Sequence, residues 1–420
     1  MKLTVVGGGS TYTPELIDGI AGRRTSLAVD EITLVDPDTH RLSIVGAFSQ
    51  RLLDHAGHGA KVTTTTNLES GVDGADAVLL QLRVGGQTAR HSDETFPLAC
   101  DCLGQETTGA GGLAKALRTV PVILDIADRV RELTGPDTWI VNFTNPVGIV
   151  TRALQQAGHR AVGLCNVAIG MQRRLGGILG VEPSAVKLDH VGLNHLTWAR
   201  GVRVNGIEML PELLTTYGDQ VAADIKLPVE LMRLLNAIPS YYLKYFYEHD
   251  SVVREQHGQP SRAQVVKDVE DELMKIYADT EVVTKPDSLS KRGGAFYSEA
   301  AIQLVHALTS GGRPEEHVVN VRNDGTLPFL PDDAVIEVPS LVDGSGARPL
   351  PIAPLDPDMA GLIGAVTGYE WLALEAALHG GRDRVVRALL AHPLIGQWDA
   401  AEKLADALIA ENRDHLPWVK

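Results

Sequence analysis

The segment KLTVVGGGSTYTPELIDGI, residues 2–20, constrains this chain more than any other. A short apolar run ends in three consecutive glycines, and Pro14 follows where the first turn of a helix tolerates a missing amide hydrogen. The pattern reads as a buried strand, a tight turn and a helix. Gly7 and Gly9 match the first two glycines of a dinucleotide fingerprint, which permit the turn and let backbone approach a pyrophosphate at a helix N-terminus. Tyr12 stands where the third glycine belongs, so the turn alone also fits a plain strand-turn-helix corner. A second strand, EITLVD, ends on Asp36, where a carboxylate can accept both ribose hydroxyls and repel a 2′-phosphate, which favours NAD over NADP. The candidate cofactor-binding residues are Gly7, Gly9, Ser10, Thr11 and Asp36, with Arg83 from a later loop.

Two further apolar segments, GADAVLLQLRVGG and DTWIVNFTNPVGIV, have the length and boundaries of parallel-sheet strands, and a short AVGLCN follows. Strands alternating with helices predict a doubly wound α/β sheet of the Rossmann type. The helix between them places Leu113, Leu117, Val120, Leu124 and Val130 near one face, with Pro121 a kink. Beyond residue 166 the character shifts to longer helices broken by β-like stretches such as KLDHVGLNHLTWARGVRVNG. The run SRAQVVKDVEDELMKIYAD reads as a helix burying Val265, Val266, Val269, Leu273 and Ile276 and exposing its acids. From Glu370 onward two amphipathic helices flank a Gly-Gly turn. With 420 residues and neither repeat nor long linker, the expected organisation is a cofactor domain over 1–166. An α+β domain over 167–420 would complete the site and carry oligomerisation, with a cleft between the two. A net charge of −15 argues against a nucleic-acid partner, whose phosphates call for basic residues. No apolar run reaches the roughly 18 residues of a spanning helix, and MKLTVVGGGS breaks into glycines too early for a signal peptide, so a cytoplasmic protein without a membrane partner is expected.

Beyond the glycine turn, three constellations carry potential chemistry. Cys165-Asn166 ends a predicted strand, where ligands gather in doubly wound sheets, and His195 follows in GLNHL. The pair reads either as a buried thiol and a satisfied imidazole or as an incomplete metal site that substrate oxygens would finish. In IPSYYLKYFYEHD, Tyr241, Tyr242, Tyr245 and Tyr247 form an aromatic face, and a tyrosine there could act as a base only if its surroundings lower its pKa. The polar stretch RVGGQTARHSDETFPLACDCLGQETTGAGG covers the cofactor cleft and carries Arg83, Arg90 and Glu106. Cys100 and Cys102 are too close for an ordinary disulfide and read as structural.

Taken in order, VVGGGSTYTPEL, LRVGG, ARHSDE, GQETTGAGG, NFTNPVGIVT, GLCNVAIG, DHVGLNHLTW, YYLKYFY, SRAQVVKDVEDEL, KRGGAFYSEAA, HVVNVRNDGTLPFLP and HPL resemble glycoside hydrolase family 4, the NAD- and metal-dependent glycosidases. The resemblance implies a dehydrogenase-like N-terminal domain and a reaction that is a known exception to two-carboxylate hydrolysis. NAD would oxidise sugar carbon 3, a metal, usually manganese, on Cys165 and His195 would polarise the ketone, and a tyrosine would take the carbon 2 proton. The aglycone would then leave by elimination, water would add, and NADH would restore carbon 3. The base falls on Tyr242, with Tyr241 the alternative, and Glu106 would raise its basicity. Arg90, Asn145, Asn166 and Arg262 would hold the substrate, the arginines suiting a sugar 6-phosphate. Asn166 resembles the members acting on β-glucoside 6-phosphates, whereas Ala168 departs from the proline usual in that group. The implied partner is a phosphorylated disaccharide or β-glucoside, and the implied assembly a homodimer or homotetramer.

Overall fold

In the computed structural model, which describes residues 1–22, 27–293 and 296–419, the opening segment forms strand β1 (Lys2–Val6) and a helix over Thr13–Ala21. There follow β2 (Glu31–Val35), β3 (Lys61–Thr65), β4 (Ala77–Leu80), β5 (Trp139–Asn142) and β6 (Ala161–Gly163), each reached through a crossover. They lie parallel in the order β3-β2-β1-β4-β5-β6, the doubly wound order expected, with the switch point between β1 and β4. Ile32, Leu34, Val78 and Leu80 are all 0% exposed, because helices cover both faces of the sheet. Each such side chain contributes roughly 1.5–3 kcal/mol of burial. At the outer edge β3 reads KVTTT, a polar threonine strand suited to solvent.

Two predicted strands are shorter than their apolar runs. After β4 the chain turns at Gly85 and Gly86, both at positive φ (79° and 61°), into a helix over Gly86–Thr95. After β5, Asn142 Oδ1 accepts the Thr144 amide, and the remaining apolar residues form a helix over Val147–Gln156. The long helix Gly109–Thr134 carries Pro121 inside it as expected.

In the second half, β7 (Val186–Leu193) and β8 (Leu196–Val204) form a hairpin whose turn holds His195 at φ 63°. The two-residue strands β9 (Ile207–Glu208) and β10 (Ile238–Pro239) flank β8. Strands β11 (Glu315–Arg322), β12 (Val335–Asp343) and β13 (Gly346–Pro349) then return to the first sheet, antiparallel, and extend it to nine strands beyond β6.

The helix over Arg262–Ala278 starts at a capping box between Ser261 and Gln264. Its buried stripe is Ala263, Val266, Glu270, Leu273 and Tyr277, whereas Val265 is 39% exposed, so the face is rotated from the one the valines suggest. A buried acid replaces the expected apolar contact because Arg292, Gln87 and Thr11 satisfy Glu270. The penultimate helix pair spans Pro357–His379 and Arg382–Ala391, starting well before Glu370, with Gly380-Gly381 as its turn. In the KRGGAFYSEAA segment, Gly294 and Ala295 lie outside the described residues. Among the described residues no helix is long and apolar enough to cross a membrane.

Candidate active site

The glycine turn sits at the carboxyl ends of β1, β2 and β4. The Gly7 and Gly8 amides donate to the Val35 carbonyl at 2.8 and 2.9 Å. A Cβ on Gly7 would meet the Gln81 carbonyl oxygen at 2.7 Å, and one on Gly9 would meet the Asp36 carboxyl carbon at 2.9 Å. The backbone therefore passes between the ends of β1, β2 and β4 only because side chains are absent there. Asp36 accepts the Gly9 amide at 3.0 Å through Oδ2 and the Asp38 amide at 3.0 Å through Oδ1. Those bonds fix the carboxylate beside the turn, as a ribose ligand requires. Ser10 and Thr11 face a different group: Arg292 donates to the Thr11 hydroxyl at 2.7 Å, to Ser10 Oγ at 3.3 Å and to Glu270 at 3.1 Å. Neither Arg292 nor Glu270 is prominent in the sequence, since each is one charge in a helix or loop full of them.

Tyr12, in the place of the third glycine, packs edge-on to Tyr297 at 6.1 Å, and the Tyr297 hydroxyl donates to the sulfur of Cys165. The cofactor turn and the thiol thus share one wall. Cys165 is 3% exposed just past β6, and its sulfur also accepts the Val167 amide and the Asn194 side chain. Burial pushes the free thiol up to about 12, with Glu337 adding to the rise. Three donors aimed at one sulfur nevertheless suit a thiolate, and the partner this arrangement lacks is a cation.

His195 follows Asn194 in the β7–β8 turn. Its ring stacks on Tyr242 with centroids 3.6 Å apart and planes 9° apart. Thr107 Oγ1 donates to Gln105 Oε1 at 2.8 Å and therefore accepts from His195 Nδ1, 2.9 Å away. That bond places the proton on Nδ1 and the lone pair on Nε2. Burial pushes the imidazole down to about 4, keeping it neutral. A thiolate and a neutral imidazole suit a divalent transition metal, and among the described residues no group of three or more His, Cys, Asp or Glu is arranged to hold one. Tyr242 contacts Tyr241 at 4.3 Å and donates its hydroxyl to it; burial pushes Tyr242 well above its usual range and Tyr241 up to about 12.

Glu106 is surrounded by cations. Its carboxylate accepts from Arg83 and from Lys115 at 2.5 Å, and forms an ion pair with Arg90 at 3.1 Å. Burial alone would push it up, but these cations hold it well below the usual carboxylate range. Arg90 also meets Glu94 at 2.8 Å, and Glu94 accepts the Ala263 amide at 2.7 Å, which brings the helix N-terminus bearing Arg262 against Arg90. Arg262 itself is exposed and donates to the Lys291 carbonyl at 2.7 Å. Asn145 carries a buried Oδ1 with no hydrogen-bond partner among the described residues, and Asn166 stands just before the helix Val167–Leu179, next to Cys165, without a side-chain capping bond. Gln105, Thr107, Asn194 and Glu337 complete the site without having stood out in sequence; only the GQET and GLNHL contexts could have signalled the first three. Cys100 and Cys102 are free, and the Cys102 sulfur turns onto the Cys100 carbonyl at 3.3 Å.

Residues 2–181 match the model of the family 4 glycosyl hydrolases, and residues 190–395 match that of the family 4 glycosyl hydrolase C-terminal domain. The chain is 38% identical to a 6-phospho-beta-glucosidase of Escherichia coli K12, over 99% of this chain and 96% of the relative. It superposes with a TM-score of 0.92 at 32% identity on the 6-phospho-beta glucosidase of Thermotoga maritima solved with manganese, NAD+ and glucose-6-phosphate, covering 99% of both chains. A malate dehydrogenase of Salinibacter ruber, at 16% identity and a TM-score of 0.55 over 91% of this chain and 99% of the other, shares the fold alone.

Proposed function

The chain belongs to glycosyl hydrolase family 4, and on that premise we propose that it is an NAD- and manganese-dependent glycosidase that hydrolyses β-glucoside 6-phosphates. The observation that carries this reading is the meeting of Cys165, His195 and Tyr242 beside the glycine turn, linked through Asn194, Tyr297 and Tyr12. When bound, NAD withdraws and returns a hydride at carbon 3, and manganese polarises the sugar oxygens so that the carbon 2 proton can be removed and the aglycone eliminated from carbon 1.

The chain's own residues supply the frame. Cys165 Sγ and His195 Nε2 would hold the metal, with the imidazole oriented by Thr107. Tyr242 Oη takes the carbon 2 proton. Its burial makes it a poor base until a cation lies beside it, which ties proton abstraction to a loaded site. Asp36 and the turn of Gly7, Gly9, Ser10 and Thr11 would seat the cofactor. Arg83 joins them across the cleft, where it also fixes Glu106. Glu106 acts here by fixing Arg83, Arg90 and Lys115, so its effect on the tyrosine is exerted through position. Arg262 and Arg90 would pair with the 6-phosphate, and Asn145 and Asn166 with sugar hydroxyls. A working thiolate needs a reducing compartment, which supports a cytoplasmic location, and we assign a homodimer or homotetramer as the working assembly.

The test compares nitrophenyl β-glucoside 6-phosphate with its α-anomer and with the free glucoside, each with and without NAD, manganese and reductant. Cleavage of the phosphorylated β-anomer alone, requiring all three additions, is expected. A preference for the α-anomer or for the free sugar would overturn the substrate assignment, and full activity without NAD would overturn the mechanism.

A further inference from the structure

We propose that Glu337 is a second anion of the metal centre, a positioning residue that sets divalent-metal affinity through Asn194 without ligating the ion. The inference rests on Cys165 and His195 being the metal ligands. Glu337 lies on β12 opposite Asn320 of β11, and Asn320 lies opposite Gly163 of β6, the strand that leads into Cys165. A Cβ on Gly163 would come within 2.8 Å of Asn320 Cβ, so the three strands close tightly at this level.

The carboxylate is 1% exposed. Oε1 accepts His190 Nε2 at 3.1 Å, and Oε2 accepts the side-chain amides of Asn194 and Asn320, each at 3.0 Å. Burial would push its pKa up, but these donors hold it below the usual value, so it stays ionised. Among the described residues no lysine or arginine pairs with it. His190 gives it one hydrogen bond through Nε2, and His190 Nδ1 has no hydrogen-bond partner among the described residues. The carboxylate is therefore buried with no lysine or arginine beside it among the described residues, which is costly unless a cation arrives.

Glu106 provides the contrast, because it carries three cations of its own and has no charge left to offer. The side chain of Asn194 touches both Glu337 and the Cys165 sulfur. The Cys165 sulfur and the Glu337 carboxylate therefore lie on either side of one amide. A divalent ion held by Cys165 and His195 would make thiolate, carboxylate and metal together electrically neutral, and the buried charge would become an attraction. Outer-shell partners of this kind commonly change metal affinity by about 10- to 100-fold.

The test is manganese titration of the NAD-bound protein by calorimetry, with wild type, Glu337→Gln and Asn194→Ala compared. Both variants are expected to weaken manganese by about 10- to 100-fold while the Kd for NAD stays within about two-fold. The rise in Tm on adding manganese should shrink in step, since it depends on the ratio of metal to Kd. A purely structural role would lower the Tm of the metal-free protein and leave that rise intact, and a manganese Kd within two-fold of wild type would likewise overturn the inference. Should Glu337→Gln not fold, Asn194→Ala, which removes the link and keeps the charge, is judged by the same criterion. A wild type that binds no manganese would instead refute the metal site itself.

Discussion

Tyr242 and Cys165 are both acids held in the wrong protonation state for their work by burial, and the same missing charge would correct both. Burial pushes Tyr242 well above its usual range and the Cys165 thiol up to about 12, while each sits against the neutral ring or turn of His195. A bound cation favours the ionised form of each. Tyr242→Phe should therefore lower kcat by about 10²- to 10⁴-fold, the usual contribution of a general base, and leave manganese affinity near wild type. Tyr241→Phe should cost less, because its hydroxyl accepts from Tyr242 and does not stack on His195. Equal losses in the two variants, measured by steady-state kinetics on the phosphorylated β-glucoside, would move the base assignment off Tyr242. Cys165→Ser should abolish metal-dependent turnover while NAD still binds, since the turn holding the dinucleotide is built from other strands. Nucleotide titration of that variant checks it, and loss of NAD binding would place Cys165 in the fold of the turn.

Two helices carry predictions of their own. At the start of Arg262–Ala278, the Ser261 box and the Glu94 bond to the Ala263 amide fix the first turn, and His91 Nδ1 lies 2.8 Å from Ser261 Oγ. Arg262 projects from that fixed turn, so its removal should act on the ligand more than on the helix. Arg262→Ala should lower kcat/KM for the 6-phosphate by roughly ten- to a hundred-fold, about 1.5–3 kcal/mol, and change little on residual cleavage of the free glucoside. In the helix Pro357–His379, Glu370 is buried against Gly148, and burial pushes it up to about 8. Between the ordinary glutamate value of about 4.3 and that raised value the folded chain holds a proton that the unfolded chain has released, so stability falls as pH rises through this window. Glu370→Gln should remove a decline on the order of 3 kcal/mol between pH 5 and 8, read as a flatter Tm against pH. An unchanged slope would mean Glu370 ionises freely. These helices also mark where sequence reading ends. The doubly wound sheet of β1 to β6 was legible because glycines and strand ends are local signals, and Cys165 and His195 were singled out by motif order. Glu270 in a nominally solvent-facing row, and Glu337 in a strand otherwise apolar, were not. Their burial depends on partners at Arg292 and His190 that no local pattern announces.

At the scale of the whole molecule, the second half of the chain closes the site of the first. Strands β11 to β13 extend the dinucleotide sheet past β6, the β7–β8 turn brings His195 and Asn194 over its edge, and the aromatic segment lays Tyr242 on that turn. The residues proposed for the reaction thus gather near the strand ends, where Glu106 is taken up by three cations and Glu337 by three hydrogen-bond donors. The proposed oxidation-elimination route requires no pair of carboxylates as acid and nucleophile. Two consequences follow for a complete turnover. Hydride that leaves carbon 3 must return before product departs, so NAD acts catalytically and absorbance at the NADH band should not accumulate beyond the enzyme concentration. The proton taken from carbon 2 by a buried tyrosine exchanges with solvent before it is returned, so glucose 6-phosphate formed in D2O should carry deuterium at carbon 2, read by proton NMR. Stoichiometric NADH would make the protein a dehydrogenase on this fold. Product without deuterium at carbon 2, under conditions where NAD is still required, would remove proton abstraction by Tyr242 from the cycle.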